Sequence, residues 1–571
     1  MSAESFTPVV LMWHMHQPHY RPLNASAFRQ PWSYLHAIKD YVDMAAILEQ
    51  TPGARSVVNF APVLLEQLDA YGEQIESFLA GNGEIADPLL AALASEQLPS
   101  DGESRLLLTS QSLRANEQRL IQRFAPFGQL AALARHLLAH PGQVGYLHDQ
   151  FLWDLLVWYH LAWLGETVRR GDSRITALME QGNHYSLAQR RLLLSIIGEL
   201  VQSVIPRYRA LAEGGQIELA MSPYGHPILP LLLDIDSARE AMPTAALPAA
   251  DHYPGGAERA RWHLRHGIET FSRYFGMIPI GCWPSEGAVS DATLQLLAAA
   301  GFRWAATGES VLRHSLTAAG RMGDACIHHP YRVDGIDIAC FFRDDQLSDA
   351  IGFKYANWHG DDAAADLVQH LENIAAACGN DPSRVISIIL DGENAWEYYP
   401  NNGYYFLTAL YQKLAQHPTL RLTTFGNLVK NRPKRPPPDR SLQLPSLVAG
   451  SWVYGTFSTW IGSPDKNRGW ELLIEAKQQF DRVIAAGTLS AEQQQAAEQQ
   501  LALCEGSDWF WWFGDYNSAE SVSDFERLFR EHLVSLYQTL MIEPPQSLTQ
   551  VISKGGGAPE QGGTMRRGSE T

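Results

Sequence analysis

The chain has 571 residues, 46% of them apolar, and a formal net charge of −18. That size and apolar content suit a large globular protein of two domains, or of one domain with insertions, and the negative balance excludes nucleic acid, which is held mainly by clustered Lys and Arg. No run approaches the roughly 20 apolar residues that span a bilayer, the first residues lack a signal-peptide pattern, and the five scattered cysteines form no CxxC pair, so a cytoplasmic protein without membrane partner, disulfide framework or thiolate metal site is expected.

From the N-terminus, residues 9–18 read as a strand closed by proline. Side chains alternate along a strand, which puts His14 and His16 on one face. Between about 61 and 200 the apolar spacing turns helical, with leucine periodicity at 119–140 and 151–166, and this reads as a long helical insertion. Strand-like runs return at 217–220, 277–282, 304–307, 337–341 and 385–390. Helical patterns separate several of them, among them 291–301, with Ser290 as N-cap, and 363–377. Alternation on this scale implies a parallel sheet, and the many scattered polar strand ends favour a closed barrel. Residues 432–440, rich in proline and arginine, can continue neither a helix nor a central strand and mark a boundary. Beyond them, 469–485 and 490–504 are helical, the second opened by a Ser490 to Gln493 capping box. The expected division is 1–430 as an α/β unit carrying the insertion, 431–545 as a mostly α-helical unit, and 546–571 as a tail whose glycine-rich part offers too little apolar surface to offset ordering.

Two of the strand-like runs end in chemistry. Ile386-Ser387-Ile388-Ile389-Leu390 drives into Asp391-Gly392-Glu393-Asn394-Ala395-Trp396, and Ile278-Pro279-Ile280-Gly281-Cys282 into Trp283-Pro284-Ser285-Glu286-Gly287. In a barrel of parallel strands the C-terminal strand ends face a shared pocket. Glu286 and Asp391, each followed by glycine and each near a tryptophan, are therefore candidates for paired-carboxylate work on a sugar. Retaining glycoside cleavage needs a nucleophile and an acid/base about 5 to 5.5 Å apart. Taken singly, either acid is equally at home as a helix cap or turn residue.

Five segments, in order, resemble the signature regions of glycoside hydrolase family 57. They are His14-Met15-His16-Gln17-Pro18; Gly215-Gln216-Ile217-Glu218-Leu219-Ala220 with Ser222, Pro223 and His226; Cys282-Trp283-Pro284-Ser285-Glu286; Leu390-Asp391-Gly392-Glu393-Asn394; and Ser451-Trp452-Val453-Tyr454-Gly455. The resemblance covers roughly residues 8–520, and the ordered set is far more specific than any one motif. It implies an incomplete (β/α)7 barrel followed by a helical domain over its mouth, and retaining action on an α-glucan or maltooligosaccharide without a cofactor. By the same resemblance Glu286 attacks the anomeric carbon and Asp391 serves as acid, then base, with the acid's pKa held above that of the nucleophile.

The remaining candidates have rival readings. His14, His16 and Gln17 are read as ligands of sugar hydroxyls, against a metal site or a structural role for the two histidines; no metal is assigned. Glu218 and His226 support the same subsite or orient the nucleophile, or else form a buried ion pair that ties neighbouring strands together. Arg343 with Asp345 follows another strand and is read as a clamp on Glu286 or on a hydroxyl. Trp283, Trp396 and Trp452 are candidate stacking platforms, and Trp511, in the run Asp508-Trp509-Phe510-Trp511-Trp512, is either a lid residue or part of an aromatic helix core. Glu393 supports Asp391. An α-amylase-type hydrolase is the leading expectation. A 4-α-glucanotransferase or branching enzyme is its close rival, with a silent glucan-binding protein or a metal-dependent mannosidase or deacetylase behind. Oligomeric state is not legible.

Overall fold

The computed structural model describes residues 6–557 apart from 325, 380, 382 and 431–441. The proline-rich boundary at 432–440 and residues 558–571 of the expected tail lie outside the described residues. The main sheet is wholly parallel: β1 (Thr7–Met15), β2 (Ser56–Phe60), β3 (Ile217–Met221), β4 (Gly281–Cys282) and β5 (Trp304–Gly308) lie side by side. A short β6 (Arg332–Val333) stands outside it, and β7 (Ala339–Arg343) and β8 (Ile386–Asp391) complete the order β7-β5-β4-β3-β2-β1-β8. A further β9 (Leu420–Leu422) extends the start of β1, and β10 (Gln443–Leu444) pairs with β6.

The sheet curls into a barrel without a closing ladder. At the seam, Asp344 N donates to Ser387 O at 2.8 Å and Arg343 Nε to Ile389 O at 2.8 Å. The fully closed barrel expected from strand alternation is thus corrected to an incomplete one, and the seven-strand form implied by the family resemblance is the one adopted. Two strands of the main sheet, beside the short β6 and β10 outside it, lie in none of the strand-like runs. β2 is five residues long and carries Ser56 and Asn59, and β9 has only three residues. The run at 277–282 shortens to Gly281–Cys282, because Pro279 has no N–H for the ladder. Gly281 is required there: a Cβ would stand 1.9 Å from the Trp304 indole.

Strand alternation builds the interior in layers. Val10 and Met12 of β1, Val57 of β2, Trp304 and Ala306 of β5, Phe341 of β7 and Ile389 of β8 form one buried cluster, plugged from below by Phe425. The Phe425 ring lies 4.7 Å from Trp304 and 4.3 Å from Phe341. The same faces turn polar toward the C-terminal ends, where His14 pairs in register with Asn59 on one side and Asp391 on the other.

Between β2 and β3 the expected insertion is a run of helices from Pro62 to Glu213, of which Pro62–Leu79 and Leu187–Glu213 pack together. After residue 441, helices Pro464–Ala486, Ala491–Cys504, Asp508–Trp512 and Ala519–Thr539 follow. Ser507 N donates to His226 O at 2.9 Å, which seats this helical part over the strand ends. The described part of the expected tail is ordered rather than loose. Arg530 donates to Leu548 O at 3.0 Å and Gly557 N to Asn517 O at 2.9 Å, and burial of Leu548 and Ser553 accounts for the difference. Among the described residues no helix is long and apolar enough to cross a membrane.

Candidate active site

The strand ends open into a cavity of about 560 Å³. Its wall brings together His14, His16, Gln17, Glu286, Arg343, Asp391, Glu393, Trp452 and Trp511. These come from six distant parts of the sequence: the ends of β1, β7 and β8, the turn after β4, the segment around 452, and the helical part at 508–512.

Glu286 sits on a tight turn at Ser285–Gly287 and adopts φ 59°, ψ 23°, the left-handed region, as does Gly287 at φ 58°. A non-glycine residue held there costs on the order of 1–3 kcal/mol, and such strain concentrates at functional sites. The turn is locked by Trp452 N donating to Glu286 O at 3.2 Å. Trp452 Nε1 donates to one carboxylate oxygen at 3.1 Å, and Ser507 Oγ to the other at 3.3 Å. Asp391 is the last residue of β8 and keeps part of its surface open to the cavity. Asn394 Nδ2 donates to its carboxylate at 2.7 Å. Gly392 permits this arrangement by close approach, since a Cβ there would meet Met15 Sδ at 2.1 Å.

The two carboxyls feel each other. Enclosure raises Glu286 to about 8, with the Asp391 and Asp508 charges adding to the effect. Enclosure also raises Asp391, to about 6, against the pull of the Asn394 hydrogen bond and of the nearby His16 and Arg343. The expected order, acid above nucleophile, is therefore inverted as the side chains stand. The cause is local: Glu286 faces two carboxylates and two neutral donors, whereas Asp391 has an amide and a guanidinium beside it. What the pair does share is a single proton near neutral pH.

Glu393 holds the end of β1. It accepts from His16 N at 3.0 Å and from the Tyr41 hydroxyl. Arg343 is pinned by Asp345 at 2.6 Å and Asp349 at 2.7 Å, with its guanidinium 5.3 Å from the Trp452 ring centre. It hydrogen-bonds neither oxygen of Glu286, so of the two expected clamps the one on Glu286 is not formed, while its place in the cavity wall is compatible with the one on a hydroxyl. Asp345 serves the guanidinium from outside the cavity wall.

Behind the wall a buried chain of hydrogen bonds runs from Asn59 through His14 (2.6 Å) and His226 (3.1 Å) to Ser507 (3.0 Å). Burial lowers the pKa of His14 to about 3 and takes His226 well below its usual value. Burial thus favours the neutral form of both, which suits them to orient neighbours through hydrogen bonds. His16 bonds through Nε2 to Asp508 at 2.9 Å, which supplies the aspartate that the first motif itself lacks. His16, His226 and Asp508 have ligand atoms within 4.8 Å of one another, close enough for a cation. The rings of His16 and His226 are stacked, with centroids 3.8 Å apart and planes 22° apart. Imidazole lone pairs lie in the ring plane, so two such rings cannot converge on one ion without turning.

Asp345 apart, four candidates fall elsewhere. Glu218 lies inside the barrel level with Val57, one layer beneath the cavity. There it accepts from Trp304 Nε1 at 2.8 Å and Gly426 N at 2.7 Å. It is the second residue of β3, not the last, and only strand ends reach the mouth. Trp283 and Trp396 are fully buried. Trp283 packs edge-on against Trp452 at 5.3 Å and Trp396 against Trp13 at 5.6 Å, so neither offers a face to a sugar. His226 stands behind the wall, as described. Glu218→Ala should accordingly lower stability by about 2–4 kcal/mol, because two buried donors lose their acceptor and a cavity opens, while KM stays unchanged. Denaturant unfolding beside steady-state kinetics checks this, and a large rise in KM at intact stability would place Glu218 at the sugar after all.

Other wall residues carried no usable sequence signal. Tyr20, Asn116, Arg119, Phe353, Asn357, Tyr398, Asp508 and Trp512 all line the cavity. Only Asp508 and Trp512 stood inside a run already marked by its aromatics.

The sequence profile of glycosyl hydrolase family 57 matches residues 10–443. The chain belongs to this family. A family 57 chain is an enzyme of the glycoside hydrolase class. None of the curated proteins matches the sequence. Among solved structures, a family 57 branching enzyme from Thermococcus kodakaraensis superposes with a TM-score of 0.57 at 14% identity, covering 93% of this chain and 90% of the other. The α-amylase AmyC of Thermotoga maritima gives 0.54 at 13%, covering 95% of each chain. A 4-α-glucanotransferase from Thermococcus litoralis gives 0.50 at 13%, covering 95% of this chain and 61% of that one. At such identities the likeness is one of fold.

Proposed function

We propose that this family 57 enzyme cleaves α-1,4-linked glucans with retention, Glu286 acting as nucleophile and Asp391 as general acid and then base. The observation that carries the reading is the pair of carboxyls lining one cavity, close enough for the charge of Asp391 to add to the rise that burial gives Glu286. A glycosidic oxygen can only accept a hydrogen bond. Placed beside Asp391 it favours the protonated form of that carboxyl, which draws the shared proton away from Glu286 and leaves the nucleophile ionised. Asp391 then donates the proton to the departing oxygen as Glu286 attacks C1. In the second half the aspartate takes a proton from the incoming hydroxyl and the ester on Glu286 is displaced.

Recognition of the sugar falls to His16, Gln17 and Glu393 for hydroxyls, and to Trp452 and Trp511 for ring faces, while His14, with both ring nitrogens bonded to Asn59 and His226, supports them. His16 Nδ1 and the indole N–H of Trp511 are buried without a partner among the described residues, which leaves hydrogen-bonding capacity beside the cavity. The reading needs no metal. All five cysteines are unpaired, the usage of a reducing compartment, which supports a cytoplasmic enzyme.

Transfer to a second sugar is the alternative fate of the glycosyl-enzyme, favoured to the extent that aromatic walls keep water from the ester. Incubation with maltoheptaose followed by resolution of products by length tests both. Shorter sugars alone mean hydrolysis, and longer or branched ones mean transfer. The same profile is expected with and without chelator. No product from any α-glucan, or activity restored only by Zn²⁺, would overturn the proposal.

A further inference from the structure

The cavity has two unlike flanks. On the Glu286 side it is walled by Trp452 and the helical part at Asp508 and Trp511. On the Asp391 side it continues outward between the helical insertion, at Asn116 and Arg119, and the segment carrying Phe353 and Asn357. Arg119 ties these two walls together, donating to Tyr398 O at 2.8 Å and to Ala356 O at 3.3 Å. This makes a continuous outer cleft whose rim carries one large apolar side chain, Phe353, 56% exposed. At that exposure the ring keeps much of its surface open at the mouth of the site. It offers a flat face to the C–H face of a sugar, and its neighbours Asn116 and Asn357 offer amides to the hydroxyls.

Direction follows from the chemistry. An acid protonates the oxygen that leaves, so the departing part of the chain lies on the Asp391 side. We infer that the cleft between the insertion and the 353–357 segment binds the leaving-group and acceptor portion of an α-glucan, with Phe353 as its stacking platform. The inference rests on the α-glucan reading above and extends it: the insertion sets chain-length preference, and occupancy of this cleft by a sugar decides between transfer and hydrolysis. A sugar held against Phe353 presents its hydroxyl to the glycosyl ester and displaces the water that would otherwise attack.

The test compares the full-length parent with Phe353→Ala and Phe353→Trp on two substrates. α-Maltosyl fluoride, whose leaving group is a single atom, reports the chemistry alone. Maltoheptaose reports the cleft. Loss of one aromatic contact should raise KM for maltoheptaose about tenfold, shorten the product range and suppress any transfer products, while turnover of the fluoride is unchanged and Phe353→Trp behaves as the parent. Identical KM and products in Phe353→Ala would overturn the inference alone. So would an equal loss on the fluoride, which would mean a disturbed reacting centre. A parent inert toward both substrates would remove the α-glucan reading itself, and this inference with it.

Discussion

Glu286→Ala should abolish turnover of α-glucans, by on the order of 10⁴-fold or more, because the group that forms the covalent ester is gone and no neighbour can replace it. The side chain is 5% exposed, and its removal leaves a small space on the face of the sugar opposite the leaving group. Azide can occupy that space. Added azide should therefore restore part of the rate on an activated substrate such as α-maltosyl fluoride and yield the β-glycosyl azide, inverted relative to substrate. The product's anomeric configuration, read by proton NMR, checks the assignment. An α-azide would show that Glu286 is not the attacking group. Burial adds a second expectation: the variant should fold at least as well as the parent, since a buried carboxyl beside two others is lost while the backbone strain is unchanged.

Asp391→Ala is expected to behave differently on different leaving groups. On maltoheptaose, whose departing alcohol needs a proton, the rate should fall about 10²- to 10⁴-fold. On α-maltosyl fluoride the first step needs no acid and should survive. Azide should then give the α-azide, because it attacks the ester on Glu286 from the face that Asp391 vacated. The pH profile separates the roles further. With the pair raised to about 6 and about 8, one proton is shared between those values, so parent activity should be bell-shaped with its maximum near neutrality. Below the lower value both groups are protonated and the nucleophile is lost; above the upper value both are ionised and the acid is lost. Asp391→Asn removes the charge that helps to hold Glu286 up and leaves Glu286 to titrate alone, so with the fluoride the rate should rise through one limb that lies below about 8 and is set mainly by burial, and the alkaline limb should vanish. An unchanged bell would mean that another pair governs catalysis.

The parts of this site that the sequence revealed are those encoded by local pattern. An apolar run ending in Asp391-Gly392 or Glu286-Gly287 announces a strand end, and period-two alternation puts His14 and His16 together. Height along the barrel axis is less visible. Glu218 has the right face of β3 but the wrong layer, and no residue type signals that difference. Tryptophans were equally ambiguous, because an indole beside an acid can face the cavity, like Trp452, or fill the core behind it, like Trp283 and Trp396. Contacts formed by tertiary docking lay furthest out of reach. Asp508 finds His16 across 492 positions of sequence, and Arg119 reaches Tyr398 across 279. The helical insertion showed its periodicity plainly and its purpose not at all, since Asn116 and Arg119 matter only once the barrel mouth is beside them. The barrel seam escaped for a similar reason: an unclosed edge depends on Arg343 and Asp344 bridging to β8, which strand propensity does not express.

The account stands on Glu286 forming a covalent bond to the sugar. Trapping that intermediate is the most direct measurement: the protein is incubated with 5-fluoro-α-glucosyl fluoride, which loads the ester quickly and releases it slowly, then digested and sequenced by mass spectrometry. A glucosyl-sized mass increase on the peptide bearing Glu286, and on that residue, is the expected result. An adduct on Asp391, Glu393 or Asp508, or turnover that releases β-anomeric product without any adduct, would contradict it.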